Sequence, residues 1–336
     1  MAEVTVAASL VADMVGYLRA RGIDADAVCR RAGVTAEMLT GAGARIPGRA
    51  MSAFWKHAIE ATGDEHLGLH TTVESNPGTL DIVGYVMLSS RTADDALRRG
   101  ARLIRVLNDG VAIELTREGA RTHARVILLA PGDAYLREQR RQIVETILIG
   151  IVHQLRLLTR RPVTPLAIAM EHATPASGAA EHARLFGVAP RFLADRDQVT
   201  IANTDLDLAL PSANPQLLES FEALANAALA SLSAADTLRG RVSAVIVDRL
   251  KGEAPSIGVV ARALAMSARH LQRGLAAEGT TYQSLLDEAR RELAVRHLAS
   301  PDATVAKVAW LVGFAEPSAF HRAFRRWTGQ SPRAVA

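Results

Sequence analysis

The sequence predicts an α+β domain followed by an all-α domain of two helix-turn-helix units joined by a connecting helix. Three observations carry this reading. Apolar residues at helical spacing, broken by short turns, occur twice in the last hundred residues. Apolar and polar residues alternate in the strand manner around residues 110–129, a pattern the C-terminal part lacks. Charge divides the same way: residues 239–336 hold 15 Lys and Arg against 8 Asp and Glu, a net of +7, while residues 1–238 hold 24 against 27, a net of −3.

Helical periodicity dominates the first two hundred residues, with helices expected over 4–21, 49–62, 93–107 and 137–159. Between them GVAIELTREG and RTHARVILL read as a hairpin turning across Glu118-Gly119. TPLAIAMEHA, Pro190-Arg191-Phe192 and QVTIAN read as further short strands. The boundary is expected after Pro211. SANPQLLESFEALANAALASLSAADTLRG, alanine- and serine-rich and without a strong aromatic anchor, reads as a helix-plus-linker. The expected divisions are 1–212, a linker at 213–238, and 239–336.

In the last part, Ile257, Val260, Ala261 and Leu264 space one apolar helix and Ala265-Met266 turn the chain. Ser267 suits the N-cap of the next helix, where its hydroxyl accepts from an unpaired backbone N–H. That helix buries Leu271 and Leu275, points Arg269, Gln272 and Arg273 away, and stops near Gly279. A connecting helix follows, with Leu285, Ala289 and Leu293 on one side and Pro301 ending it. Its seventeen or so residues span roughly 25 Å at about 1.5 Å each. The second unit repeats the design. Val305, Val308, Ala309 and Val312 lead into a Gly313-Phe314 turn, and Pro317 takes a first-turn position. Phe320, Phe324 and Trp327 form the buried stripe, with Arg322, Arg325 and Arg326 on other faces. Two such helices about one duplex turn apart, roughly 34 Å, suit successive major grooves, where arginine pairs with both acceptors of guanine.

These residues resemble the DNA-binding domain of AraC/XylS-type transcriptional regulators. The resemblance rests on the Gly-Phe turn, the Ser-x-Phe-x-Arg-x-Phe run and the Trp-x-Gly-x-Ser-Pro ending, all in register. It implies base reading by Arg269, Gln272 and Arg273 in the first unit and by Ser318, His321 and Arg322 in the second. Ser267, Arg325 and Arg326 are expected at phosphates. Pro317 and Ala319 stand where many members carry polar side chains, so the second unit is expected to read bases less fully. Residues 76–107 and 185–215 resemble the effector-binding half of ornithine-utilisation-type regulators in the same family, over about residues 20–212. That resemblance implies a small-molecule effector, a homodimer and possible contact with RNA polymerase, with double-stranded operator DNA as the macromolecular partner.

Several classes are disfavoured. Cys29 is the only cysteine, which excludes an intrachain disulfide and suits a reducing cytoplasm. The alkyl-accepting cysteine cluster that some repair proteins join to this type of helix-turn-helix cannot be built from it. No stretch reaches about 18 uninterrupted apolar residues, and the N-terminus reads as an amphipathic helix rather than a signal peptide. GAGAR at 41–45 lacks the ending and the preceding strand of a phosphate loop, and no Gly-x-Ser-x-Gly elbow occurs. No catalytic residue or cofactor is expected. His66 and His70, four apart with Glu74 a turn on, offer one helix face to a metal. The Glu-before-His order departs from the zinc-protease motif, so no metal is expected there. His123, His153, His172 and His182 look scattered. An effector-independent DNA-binding protein is the alternative, disfavoured by some 210 non-basic residues ahead of the basic module.

Overall fold

The computed structural model describes residues 3–41, 43–130, 132–235, 237–250, 252–298, 303–314 and 316–332. It divides the chain into two compact units, 1–229 and 230–336.

The first unit opens on a strand where a helix is expected from residue 4. β1 (Thr5–Ala7) pairs antiparallel with β2 (Arg45–Pro47), and the helix starts at Ala8. The β-branched pair Thr5-Val6 suits a strand, and Val6 is buried opposite Ile46. Arg45 fastens the join, donating to Val106 O at 2.6 Å and Thr5 O at 2.9 Å beside Asp109.

A second, four-stranded antiparallel sheet has the order β3 (Val111–Glu118), β4 (Arg121–Leu128), β6 (Gln198–Ala202), β5 (Ala167–Ala169). Glu118 pairs with Arg121, so the hairpin turns at Gly119-Ala120, one position beyond the expected site. Gly119 supplies the positive φ of +56° that a two-residue hairpin turn requires. Residues 190–192 add no strand; Arg191 meets Ala169 only in an isolated bridge. The other expected helices form as Gly48–Thr62, Ala93–Leu107 and Arg140–Thr159. The last is long and apolar enough to cross a bilayer by composition. With 67% of its apolar window buried among the other elements, it is the central core helix of the unit.

The connector is one continuous helix, Pro215–Ala235. It does have an aromatic anchor: Phe221 lies 5.4 Å from the Tyr85 ring. Glu222 accepts from Arg99 at 3.0 Å and Arg102 at 3.3 Å, and Arg102 also donates to Asn226.

The second unit is helical throughout its described residues. Leu238–Arg249 leads into the helix pair Ile257–Ala263 and Ala268–Ala277, then Tyr282–Leu298, then the pair Val305–Leu311 and Pro317–Thr328. It has two small cores. Leu271, Leu275, Leu285, Leu286 and Ala289 belong to the first. Ala294, Leu298, Val308, Phe320 and Phe324 belong to the second. The connecting helix therefore buries one half in each core, and Leu293 packs against both. Pro301, expected to end that helix, lies outside the described residues.

Candidate nucleic-acid interface and ligand cavity

Each helix pair is set by local chemistry. In the first, Ala265 takes a left-handed φ of +53° at the turn, and Ser267 Oγ accepts from His270 N at 3.2 Å to cap the next helix. Leu271 and Leu275 are fully buried, which leaves Arg269, Gln272 and Arg273 exposed along one face. Glu278, just past that helix, accepts from the backbone N–H groups of Leu238 at 2.9 Å and Arg239 at 2.7 Å. The helix that leads into the unit is thus tied to the end of the first candidate recognition helix.

In the second pair, Pro317 occupies the first turn and no side chain caps the helix. Phe320 and Phe324 are buried, Trp327 partly so. Ser318, Arg322, Arg325 and Arg326 are exposed and His321 is half-buried. Arg326 donates to Asp287 on the connecting helix at 2.9 Å. An exposed pair of this kind is worth about 0–1 kcal/mol, so it leaves Arg326 able to turn to a phosphate.

Arg290 is the residue that sequence reasoning missed. It sits on the connecting helix and donates to Val312 O and Gly313 O, each at 3.0 Å, with its guanidinium 4.4 Å from the Phe314 ring centre. It holds the turn of the second pair against the connecting helix. No local motif announces it, because its partners lie 22 and 23 residues away. Gly313 itself has φ +76°, and a Cβ there would sit 2.9 Å from the Ala254 backbone nitrogen. Gly313→Ala is expected to cost about 1–2 kcal/mol, read as a lower urea midpoint for the C-terminal unit.

The first unit holds a partly open cavity of about 170 Å³. An apolar cavity of roughly 150 Å³ accommodates benzene. The walls are mostly apolar and come from Met51, Val83, Met87, Leu97, Ile104 and Ile151, among others. Few polar groups face it. Thr146 and Gln154 line it, and their Oγ1 and Oε1 atoms are buried without a hydrogen-bond partner. Asp13 also lines it: burial raises its carboxyl above the usual range, against the hydrogen bond from Thr79. The helices Asp81–Leu88 and Ala93–Leu107 turn Val83, Met87, Leu97 and Ile104 to the cavity. The same two helices hold the connector through Tyr85, Arg99 and Arg102.

The histidines are not arranged as the sequence suggests. His70 turns to Asp64 and Glu181, at 2.6 Å each, and Glu74 pairs with Arg21. His172 and His182, which look scattered in sequence, come together with His66 around Glu145.

Two family descriptions match separate parts of the chain. Residues 22–210 match the family described as the arabinose-binding domain of AraC transcription regulator, N-terminal, and residues 260–336 match a helix-turn-helix domain. The chain is 29% identical over 312 residues to the ornithine utilization regulator of Pseudomonas aeruginosa, covering 93% of this chain and 90% of that one. Shorter matches include the transcriptional regulator VqsM of the same species, at 34% over 128 residues (38% of this chain, 39% of that one). VirS of Mycobacterium tuberculosis matches at 44% over 78 residues, 23% of each chain. Among solved structures, the regulator CdpR from Pseudomonas aeruginosa aligns with a TM-score of 0.43 at 23% identity, over 84% of this chain and 90% of that one.

Proposed function

Because the chain belongs to the AraC family of transcription regulators, we propose that it reads an operator with both helix pairs and that a small, mostly apolar molecule in the N-terminal cavity governs that reading. The observation that carries the DNA half is the connecting helix buried in two cores, which fixes two basic helices in one rigid body. On this reading Arg269, Gln272 and Arg273, with Ser318, His321 and Arg322, meet base edges, while Ser267, Arg325 and Arg326 meet phosphates. Residues 1–212 sense, 213–238 connect and 239–336 read. The chain works in the cytoplasm as a homodimer, contacts RNA polymerase and performs no catalysis of its own; sedimentation of the full chain tests the dimer.

The cavity narrows the ligand class. Arabinose, in the family description, and ornithine, in the relative's name, would each bury several polar groups against apolar walls. A buried polar group without a partner costs roughly 1–3 kcal/mol by mutational measures. Asp13, Thr146 and Gln154 supply polar side chains in this lining, enough for one polar substituent on a single ring or a short alkyl chain. Calorimetry with small aromatic and aliphatic acids, alcohols and amides, against pentoses and diamino acids, tests this; tighter binding of the pentoses or diamino acids would overturn it.

Two substitutions separate base reading from backbone contact. Arg273→Ala is expected to weaken operator binding by about 1–3 kcal/mol and to relax preference at one base position. Arg326→Ala is expected to weaken all duplexes evenly and to reduce the slope of log affinity against log salt by about 0.9 for each phosphate left without its cation. Fluorescence anisotropy across a salt series on operator and scrambled duplexes reads both. Unchanged operator affinity in Arg273→Ala would remove that residue from the recognition face.

A further inference from the structure

We propose that His66, Glu145, His172 and His182 bind a divalent transition metal ion of the zinc class in the N-terminal unit. None of the four lines the ligand cavity.

The geometry carries the proposal. One ligand atom from each of His66, Glu145 and His182 lies within 4.8 Å of the other two, and all three residues are buried. Glu145 Oε1 is 2.7 Å from His182 Nε2 and 3.4 Å from His172 Nε2. Metal–ligand bonds of about 2.0–2.2 Å in a tetrahedron set neighbouring ligand atoms about 3.3–3.5 Å apart. The His172 spacing already meets that value. The His182 spacing opens by about 0.6–0.8 Å, and His66 closes in. Three imidazoles and one carboxylate are a donor set suited to zinc, and also to cobalt as its spectroscopic substitute.

Binding through His182 Nε2, which now donates to Glu145 Oε1, requires its proton to move to Nδ1, a buried nitrogen without a partner. His172 Nδ1 lies 2.9 Å from Ala173 O, so that nitrogen carries the proton and donates it to the carbonyl. Nε2 is then an acceptor, buried and without a hydrogen-bond partner, facing a carboxylate oxygen. Two acceptors face to face are unfavourable unless a proton or a metal ion lies between them. The second Glu145 oxygen, Oε2, is also buried without a partner. An imidazole whose other nitrogen is tied to a carbonyl is the common outer arrangement of a metal-binding histidine. His66 Nε2 lies 2.7 Å from Ser177 Oγ, and its Nδ1 accepts from Arg141.

Arg141 shows what balances the cluster without metal. Its guanidinium donates to Glu145 Oε1 at 3.0 Å and to His66 Nδ1 at 3.1 Å, while a third nitrogen reaches Glu65 at 3.2 Å. The Glu145 carboxylate is thus already paired with a cation. On metal loading Arg141 gives up His66 Nδ1 and Glu145 and keeps Glu65. The ion would staple four segments: the start of helix Leu67–Val73, the core helix Arg140–Thr159, the residue 172 segment after β5, and helix Ala180–Phe186.

The test uses the full chain, purified without a histidine tag, stripped with chelator and titrated with Zn(II) or Co(II). We expect one ion per chain by elemental analysis, tetrahedral visible bands for Co(II), and a zinc-edge X-ray absorption spectrum with a shell of nitrogen and oxygen only, including imidazole. His182→Gln and Glu145→Gln should each weaken binding by more than the roughly 10–100-fold typical of outer-shell changes, whereas His123→Gln should leave it unchanged. Less than 0.1 ion per chain at saturating metal would overturn the proposal. So would full affinity in His182→Gln, or a sulfur-containing or six-oxygen shell in the wild-type spectrum; the spectrum decides the matter even if a variant fails to fold.

Discussion

Arg290→Ala is expected to unseat the second recognition helix. The side chain supplies two charge-assisted hydrogen bonds to the turn carbonyls of Val312 and Gly313 and covers the Phe314 ring. Phe314 in turn packs 5.8 Å from Phe320 and 5.9 Å from Trp327, on the inner face of that helix. Hydrogen bonds to a charged group contribute about 1.5–3 kcal/mol, and a cation over an aromatic ring about 0.5–2. The substitution leaves the carbonyl of the fully buried Val312 without this donor, and the combined loss is expected at about 2–4 kcal/mol in the stability of the C-terminal unit, less than the simple sum because the contacts form one network. On the proposed reading, operator protection should fail over the half-site assigned to Arg322 and persist over the half-site assigned to Arg273. Arg290→Lys should rescue little, because an ammonium cannot hold the fork that bridges two carbonyls. Arg291→Ala, one residue on and exposed, should stay within about 0.5 kcal/mol of the parent. Chemical denaturation and footprinting check all three. Full protection of both half-sites in Arg290→Ala would exclude the fastening role.

Arg290 also marks where the sequence stops being readable. The two helix pairs are legible because their information is local. Leu271 and Leu275, or Phe320 and Phe324, recur at helical spacing, and Ser267 and Pro317 sit where helix starts need them. The β3–β4 hairpin is legible for the same reason, to within one residue. Pairings across the chain are not. β6 lies between β4 and β5 in the sheet although it follows both in sequence. Phe221 looks unanchored until the fold brings Tyr85 to it. His182 meets Glu145 from 37 residues away, and neither stands in a recognisable motif. Charged residues mislead most, since a solvated arginine and one that clamps a turn read alike. The strand at Thr5–Ala7 disappears into a helical pattern because its partner, β2, lies forty residues on.

The connector supplies the other large effect. Leu97 and Ile104 face the cavity from helix Ala93–Leu107, and Arg99 and Arg102, on other faces of the same helix, grip Glu222. Helix Asp81–Leu88 does likewise, with Val83 and Met87 on the cavity and Tyr85 on Phe221. A ligand that shifts either helix shifts the grip on the connector. At the far end the chain enters the second unit through Leu238 and Arg239, whose N–H groups are held by Glu278 beside the first recognition helix. Coupling between cavity and operator is then expected at about 1–3 kcal/mol, roughly 5–150-fold in affinity, and must be equal in both directions. The variant Phe221→Ala/Glu222→Ala removes the aromatic contact and the ion pairs, keeps the Arg102–Asn226 hydrogen bond, and leaves the cavity walls and the DNA face intact. With the tightest molecule from the calorimetric screen, the double variant should bind ligand and operator separately as the parent does, while the coupling factor falls to about 1. The partly exposed Glu222 pairs contribute little stability of their own, so loss of coupling would not be a symptom of unfolding. A double variant that kept the parent's factor would place the route elsewhere than the connector's contact with these two helices.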